Sequence, residues 1–181
     1  MSLAIGLDVS ELRMGWAVVD YDTQEPLALG VENLRERDGG YAEEQVLRAM
    51  DHLKAYVVGR LPVSHGEVYV IGIEDVYMGP SIKGTIRQAG IVGMATMAAR
   101  VVFGPVQLWP IPNGTWLNPL GITPASRKSD DIKAATMAWA CDRMNRVHCD
   151  GTNDEQIGQD AADALGVATA CAVLTEKKDA A

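Results

Sequence analysis

Residues Tyr69–Gly79 have the sequence YVIGIEDVYMG, in which an apolar run typical of a buried strand ends in an acid, Glu74. The same pattern occurs near the N-terminus, where the apolar run of Leu3–Ser10 (LAIGLDVS) ends in Asp8. Acids are depleted in strands and common in turns, so a single ending of this kind is explained by strand termination alone. Two matched endings weaken that explanation and favour a site to which both acids contribute.

Each of these acids shares a strand face with a glycine. Side chains alternate along a strand, so Gly6 lies on the same face as Asp8, and Gly72 lies on the same face as Glu74. Glycine weakens a strand and often marks a place where another group approaches closely. If the two strands are parallel, both acids lie at the edge of the sheet where sites form in open α/β folds.

A third acidic segment is Gln159–Ala170, with the sequence QDAADALGVATA. Asp160 and Asp163 are three residues apart and share one face of a predicted helix. They fall in its first turns, where acids also complement the positive end of a helix. However, the segment is apolar enough to be buried, and an isolated buried carboxylate is costly unless it is paired or bound to a cation. The alanines would let this helix lie close to a sheet, which would bring both acids near Asp8 and Glu74.

These four carboxylates have no matching lysines in their own motifs. This favours a site for a divalent cation, and ligands that are all oxygen atoms favour Mg²⁺ or Mn²⁺ over zinc. Two such ions about 4 Å apart can activate water and stabilise the leaving oxygen in phosphodiester hydrolysis. The sequence therefore predicts a metal-dependent hydrolytic site.

The order of the predicted strands and helices along the chain indicates an α/β fold with a mixed sheet covered by helices on both faces. Strands are predicted at Leu3–Val9, Trp16–Tyr21, Leu27–Leu34, Val68–Ile73 and Val106–Trp109. Helices are predicted at Tyr41–Val58, Thr85–Val102, Ser129–Met144 and Gly158–Leu174. Four small residues of the second helix form a face that another helix could approach closely: Gly90, Gly93, Ala95 and Ala98.

Length and composition limit the class of protein. The 181 residues fit one domain, which we expect over residues 1–175, with a polar tail at 176–181. We expect a cytoplasmic protein, because no apolar run approaches the ~20 residues of a membrane span, no signal-peptide pattern is present, and three cysteines form no metal-type pair. The net charge of −8, taken alone, argues against a nucleic-acid partner, although binding depends on local basic patches.

The motifs together resemble the RuvC family of Holliday junction resolvases, in the RNase H-like and retroviral integrase superfamily. That family has an acid on its first strand and a turn glycine seven residues later, matched by Asp8 and Gly15. It has a glutamate on the fourth strand and an aromatic three residues on, matched by Glu74 and Tyr77. Its last helix carries an Asp-Ala-Ala-Asp-Ala-Leu motif, matched by Asp160–Leu165. The resemblance extends over nearly the whole chain.

The resemblance implies a five-stranded mixed sheet, with three antiparallel and then two parallel strands, and a homodimer with two active sites. It implies Mg²⁺-dependent nicking of two opposed strands at a four-way DNA junction, with Mn²⁺ able to substitute and two ions per site. Carried over residue by residue, it assigns the metal ligands to Asp8, Glu74, Asp160 and Asp163. Lys128, in the family's basic segment, would contact phosphate near the catalytic site, and Tyr77 would stack near the open centre of the junction.

Other basic residues of the second half are candidates for the DNA surface. Those we select, besides Lys128, are Lys83, Arg87, Arg127 and Lys133. The Arg127–Lys128 pair is favoured because it precedes a predicted helix whose N-terminus also attracts phosphate. Most lysines and arginines are simply solvated, and Trp109 and Trp116 are interpreted as core or loop anchors rather than DNA contacts.

The chain also departs from the family's pattern. Asp8 is followed by Val-Ser rather than Pro-Gly, the chain is acidic, and the Trp109–Ser126 segment is long and rich in proline and tryptophan. These departures indicate a divergent member and are compatible with a phage origin. They leave junction selectivity and the role of the Trp109–Ser126 segment open.

Three alternatives remain beside a junction resolvase. A less selective nuclease of the same fold would cut flaps, forks or other branched DNA. A non-catalytic DNA-binding scaffold would have no need of four acids. A phosphotransferase of the actin and sugar-kinase type would also end its first strand in Asp, but it needs a second Asp-x-Gly loop and a glycine-rich adenosine site, and the sequence shows neither.

Overall fold

The computed structural model describes residues 2–34, 42–61, 68–76, 81–145 and 158–179. Its strands are β1 (Leu3–Val9), β2 (Arg13–Asp20), β3 (Pro26–Asn33), β4 (Val68–Glu74) and β5 (Gln107–Ile111). Its helices are α1 (Ala42–Arg60), α2 (Ile82–Phe103), α3 (Ser129–Asn145) and α4 (Gln159–Asp179), with a short 3₁₀ helix at Asn118–Leu120. None of the helices within these ranges is both long and apolar enough to cross a membrane.

The five strands form one mixed sheet in the order β3-β2-β1-β4-β5. β1, β2 and β3 pair antiparallel, whereas β4 pairs parallel with both β1 and β5. This confirms the predicted arrangement of three antiparallel and two parallel strands. The register aligns Gly6 with Gly72, so the parallel strands β1 and β4 present their carboxyl ends, with Asp8 and Glu74, at the same edge.

Alternation along the strands divides the core into two layers. One layer joins β-strand residues such as Ile5 and Ile71 to the buried faces of α1 and α2. The other joins residues such as Ala4 and Val70 to α4 and α3. Helices therefore cover both faces of the sheet, as the sequence predicts, and α4 is the helix that packs on β1, β2 and β4 from the second side.

The ends of several elements differ from the sequence-based prediction. β2 begins at Arg13 rather than Trp16, so Gly15 lies within a strand and pairs with Asp8 in the register. Its expected place in a turn is therefore wrong. α4 continues to Asp179, which extends the helix into the segment that we expected to be a polar tail.

The small-residue face predicted on α2 is divided between core and solvent. Ala95 and Ala98 are buried in the first core layer, whereas Gly90 and Gly93 are exposed and have no described residue within 4 Å of an added Cβ. The four residues therefore do not form one continuous open face. The exposed side of α2 instead carries a row of large apolar residues, here called the α2 stripe: Ile82, Ile86, Met97 and Val101.

Candidate active site

Helix α4 approaches the sheet where the strands carry glycine. A Cβ added to Gly6 would lie 2.1 Å from the carbonyl oxygen of Ala164, and one added to Gly15 would lie 2.0 Å from the carbonyl oxygen of Asp160. A Cβ on Gly72 would meet Cys171 at 3.0 Å. The glycines beside the acids thus mark a close approach, as the sequence predicts, and the approaching group is α4.

This approach brings the four predicted acids into one electrostatic cluster. The pKa of Asp8 is raised well above its usual value, first by burial and then by the negative charges of Glu74, Asp163 and Asp160. Asp8 also forms a side-chain hydrogen bond with Glu74 that favours a proton on Asp8. The cluster combines acids from two strands with two acids from one helix, and the negative charges of neighbouring acids oppose the ionisation of Asp8 and of Asp163.

Glu74 is held by donors from the loop that follows β5. Burial raises its pKa, while three hydrogen bonds lower it: from the Trp116 indole, from the Gly114 backbone N–H and from Asp8. The Trp116 Nε1 atom lies 2.8 Å from the Glu74 Oε1 atom. Two neutral donors of this loop therefore contact the carboxylate of β4.

The two acids of α4 have different surroundings. Burial raises the pKa of Asp163 to about 6, and the charges of Glu74 and Asp160 act in the same direction. The Gln159 Nε2 atom donates to Asp163 Oδ1 at 2.8 Å, and Lys133 lowers the pKa through its positive charge. Asp160 has a side chain that is 31% exposed, and its Oδ2 atom lies 3.4 Å from Arg13 Nη1 in an ion pair.

The donor set has the chemistry of a site for hard cations, although its side chains are not arranged around an ion. Within the described ranges, no three acids, histidines or cysteines stand together at positions that would hold a metal as they are. Glu74, Asp163 and Asp160 instead each contact a protein donor. A donor set made only of oxygen atoms still fits Mg²⁺ or Mn²⁺, because a cation would stabilise the ionised forms of Asp8 and Asp163, which burial and neighbouring negative charges disfavour.

The basic residues predicted to contact DNA lie on both sides of the sheet, beside the edge that carries Asp8 and Glu74. Lys83 and Arg87 are exposed in the first turns of α2, and the Gln88 side chain donates to the Val9 carbonyl at the end of β1. Arg87 forms a surface ion pair with Glu11 at 3.8 Å. Such exposed pairs are weak, so Arg87 remains able to contact a polyanion.

The second group of basic residues is at the start of α3. Arg127, Lys128 and Lys133 are all exposed. The backbone N–H of Lys128 donates to Ser126 Oγ at 3.1 Å, which fixes the chain just before the helix. Of these three, Lys133 is the residue whose charge acts on Asp163. Tyr77, the residue expected to stack on bases, lies outside the described residues.

Sequence reasoning missed three residues whose side chains contact the acids, and also the Gly114 backbone N–H that donates to Glu74. Gln159 precedes Asp163 by four residues, a spacing at which Gln and Asp pair on a helix, so this contact had a sequence signal. Arg13 and Trp116 had none, because each reaches an acid that is distant in the sequence. Trp116 is a buried anchor, as interpreted from the sequence, but it also contacts the cluster.

No protein-family profile matches the chain, and no curated protein sequence matches it. Several solved structures do. Thermus thermophilus RuvC in complex with a Holliday junction substrate matches with a TM-score of 0.61 and 14% identity, over 98% of this chain and 96% of that chain. A second Thermus thermophilus RuvC structure matches with a TM-score of 0.55 and 16% identity, over 97% of this chain and 96% of that one.

A eukaryotic protein has the same architecture. The yeast mitochondrial Holliday junction resolvase matches with a TM-score of 0.52 and 13% identity, over 97% of this chain and 80% of that chain. Nearly complete coverage at such low identity shows a shared fold. The chain therefore has the RNase H-like fold of RuvC and related resolvases, as a divergent example of it.

Proposed function

We propose that this protein is a structure-selective endodeoxyribonuclease that resolves four-way DNA junctions by nicking opposed strands. The observation that carries the proposal is the cluster of Asp8, Glu74, Asp160 and Asp163 at one edge of the sheet. The fold adds support, because one similar structure is a RuvC bound to a Holliday junction substrate.

The four acids would hold Mg²⁺, with Mn²⁺ as a substitute and two ions per site. When bound, such ions would supply a Lewis acid for the scissile phosphate and activation of the attacking water. Asp8 and Glu74 lie on β1 and β4, two neighbouring interior strands, which fixes their backbone positions. Asp160 and Asp163 are fixed by the contact of α4 with Gly15 and Gly6. In this way the chain contributes a set of oxygen ligands on rigid elements.

The exposed lysines and arginines on the two sides of the sheet would bind the DNA backbone beside the acids. Lys83 and Arg87 would contact it from the α2 side, and Arg127, Lys128 and Lys133 from the α3 side. This arrangement reconciles DNA binding with a net charge of −8, because affinity for phosphates depends on the basic residues close to the DNA. Lys128 would contact phosphate near the reacting centre, and Tyr77 would stack on an exposed base with a contribution of ~1–3 kcal/mol.

A homodimer would supply the two active sites that opposed nicks require. The α2 stripe supports this step, because Ile82, Ile86, Met97 and Val101 are between 63% and 78% exposed along one side of a single helix. Large apolar residues aligned in this way are typical of a surface that another protein covers. Gly90 and Gly93, between them on the same helix, would allow close approach.

The decisive experiment is a Mg²⁺-dependent cleavage assay on a four-way junction, a three-way fork, a flap and linear duplex of matched sequence. We expect symmetric nicks in the four-way junction and little cleavage of duplex. Comparable cleavage of flaps and forks would instead favour the less selective branched-DNA nuclease. Binding without cleavage of any substrate would favour the scaffold.

Two Asp→Asn variants make the assay specific for the acid cluster. Asp8→Asn should abolish cleavage and leave junction binding intact, because it removes a cation ligand and no DNA contact. Asp51→Asn is the matched control, since Asp51 is exposed on α1, on the opposite face of the sheet from α4. Cleavage by the Asp8→Asn variant at the wild-type rate would refute the metal assignment.

A further inference from the structure

Trp116 is wedged between the last strand position of β4 and helix α4. It is only 2% exposed, and its Nε1 atom lies 2.8 Å from Glu74 Oε1. The other side of the ring packs on Gly166, where an added Cβ would lie 2.3 Å from a ring carbon. The position of the indole is therefore determined from both sides, by a carboxylate and by a glycine of the helix that carries Asp163.

We propose that Trp116, together with the Gly114 backbone N–H, holds the Glu74 carboxylate in the orientation required to bind a divalent cation. Trp116 is thus a positioning residue that acts through Glu74. The inference rests on the proposed function in one respect, namely that Glu74 is a cation ligand. It also assigns a role to the Trp109–Ser126 segment.

The donors suit this role because they orient the carboxylate without neutralising it. An ionised carboxylate has about four lone-pair positions, and two neutral N–H donors leave others available to a cation. Hydrogen bonds from residues around a metal site fix the orientation of the ligands, and their loss typically costs 10–100-fold in metal affinity. A lysine or arginine in the same place would compete with the cation for the charge of Glu74.

The loop that carries both donors is itself fixed. Thr115 donates to the Pro112 carbonyl twice, from its backbone N–H at 3.0 Å and from its hydroxyl at 2.7 Å. Gly114 has a φ of 70°, a conformation that favours glycine. Leu117 and Ile122 are buried in the α4 layer of the core. Donors on a fixed loop can hold the carboxylate in one orientation.

Trp16 and Trp116 are both buried, but their indole N–H groups differ in hydrogen bonding. A buried indole N–H usually finds a partner, yet the buried Nε1 of Trp16 has none among the described residues. Trp16 shows that a buried indole in this protein can lack an acceptor within the part of the chain that the structure describes. Trp116 nevertheless donates to an acid of the cluster.

The test is the affinity of the 181-residue chain for Mn²⁺, measured without DNA from the electron paramagnetic resonance signal of the free ion. Trp116→Phe removes the donor and keeps an aromatic ring, and we expect it to weaken Mn²⁺ binding by 10-fold or more. Trp139→Phe, at a half-buried residue of α3, is the matched control and should bind as the wild type does. A residue that served packing alone would lower the melting temperature and leave Mn²⁺ affinity unchanged.

A double-mutant cycle then tests whether Trp116 acts through Glu74. In a Glu74→Gln background, Trp116→Phe should cause no further loss of Mn²⁺ affinity. If Trp116→Phe does not fold, a tryptophan analogue with sulfur in place of the indole N–H removes the donor alone. Additive losses in the cycle would overturn the inference.

The outcomes separate this inference from the proposed function. A wild-type protein that binds Mn²⁺, with Trp116→Phe binding it equally or more tightly, overturns the positioning role and leaves the nuclease proposal standing. A wild-type protein that binds no Mn²⁺ overturns the metal-dependent mechanism and the positioning role with it.

Discussion

The carbonyl oxygen of Asp160 lies 2.0 Å from the position that a Cβ on Gly15 would occupy. Gly15 pairs with Asp8 across the β1–β2 ladder, so the first turn of α4 sits directly over the strand pair that carries the first acid. The distance between the acids of β1 and α4 therefore depends on the absence of a side chain at residue 15.

Replacing this glycine should separate the acids. Gly15→Ala must displace the start of α4 or bend β2, because a Cβ cannot occupy space 2.0 Å from a carbonyl oxygen. We expect the free energy of unfolding to fall by about 1–3 kcal/mol, the usual cost of overpacking. The cleavage rate of the folded protein should also fall, because Asp160 moves with the helix. This loss should exceed what the small unfolded fraction alone would cause. Urea denaturation and the cleavage assay measure the two effects.

Gly59→Ala provides the control for that experiment. Gly59 lies in α1, and a Cβ there meets no described atom within 4 Å other than its chain neighbours and the adjacent backbone of α1. Alanine is favoured over glycine in helices by about 1 kcal/mol, so this variant should be as stable as the wild type or more so, and equally active. An active Gly15→Ala protein of wild-type stability would contradict the close approach of α4.

The stability of the metal-free protein should fall as the pH rises. Burial raises the pKa of Asp163 from 3.8 to about 6, so the folded state binds protons more tightly than the unfolded state does. The stabilisation is complete below about pH 4 and is lost as the pH rises through 6. For this group alone the loss is at most about 3 kcal/mol, reduced by partial exposure of the side chain. Asp8 and Glu74, whose pKa values are also raised, should add to the slope.

Mg²⁺ should reverse this dependence, since it binds the ionised carboxylates. Thermal unfolding followed by circular dichroism at pH 5 and pH 8, with and without Mg²⁺, measures both effects. We expect Mg²⁺ to raise the melting temperature at pH 8 and to have little effect at pH 5. Asp163→Asn should flatten the metal-free profile. A melting temperature that rises from pH 5 to pH 8 without metal would argue against a buried acid cluster.

Removal of the Lys128 charge should weaken DNA binding and its dependence on salt. Lys128 is exposed just before α3, on the same side of the sheet as α4. If it contacts one phosphate, Lys128→Ala should reduce the slope of log affinity against log salt concentration by about 1. Arg48→Ala removes the same charge from an exposed position of α1 on the opposite side and should leave the slope unchanged. Equal slopes for the wild type and Lys128→Ala would place the basic surface elsewhere.

The positions of the strands and the convergence of the acids were predictable because the sequence signals for both are local. In β1 and β4 the apolar run, the glycine and the terminal acid lie within a few residues, and alternation places Gly6 and Asp8 on one face without knowledge of the fold. The alanines around Asp160 and Asp163 indicate a helix that can lie close to a sheet. Convergence of the four acids follows from these local patterns once the strands pair in parallel.

Contacts between distant segments were not predictable in the same way. Trp116 reaches Glu74 across 42 residues, through a loop whose path depends on Gly114 and its turn. Gly15 was misplaced because the resemblance implied a turn glycine seven residues after the first acid, whereas here Gly15 lies in β2 and makes room for α4. On α2, sequence spacing identified the small residues but could not distinguish Ala95, which faces the core, from Gly93, which faces solvent.

The α2 stripe should mediate self-association. Met97 is 63% exposed in the second half of α2 and belongs to the stripe, so Met97→Glu places a charge within the expected interface. A desolvated, unpaired charge is strongly unfavourable, so we expect the wild type to sediment as a dimer and the variant as a monomer at the same concentration. The monomer should still nick a junction, but its two nicks should occur in separate binding events, which a cruciform plasmid reports as accumulated nicked circles.

Val58→Glu is the control for this experiment. Val58 is 73% exposed on α1, outside the stripe, so the Val58→Glu variant should remain dimeric. A wild-type protein that sediments as a monomer on junction DNA would refute the dimer, and a dimeric Met97→Glu variant would place the interface away from α2.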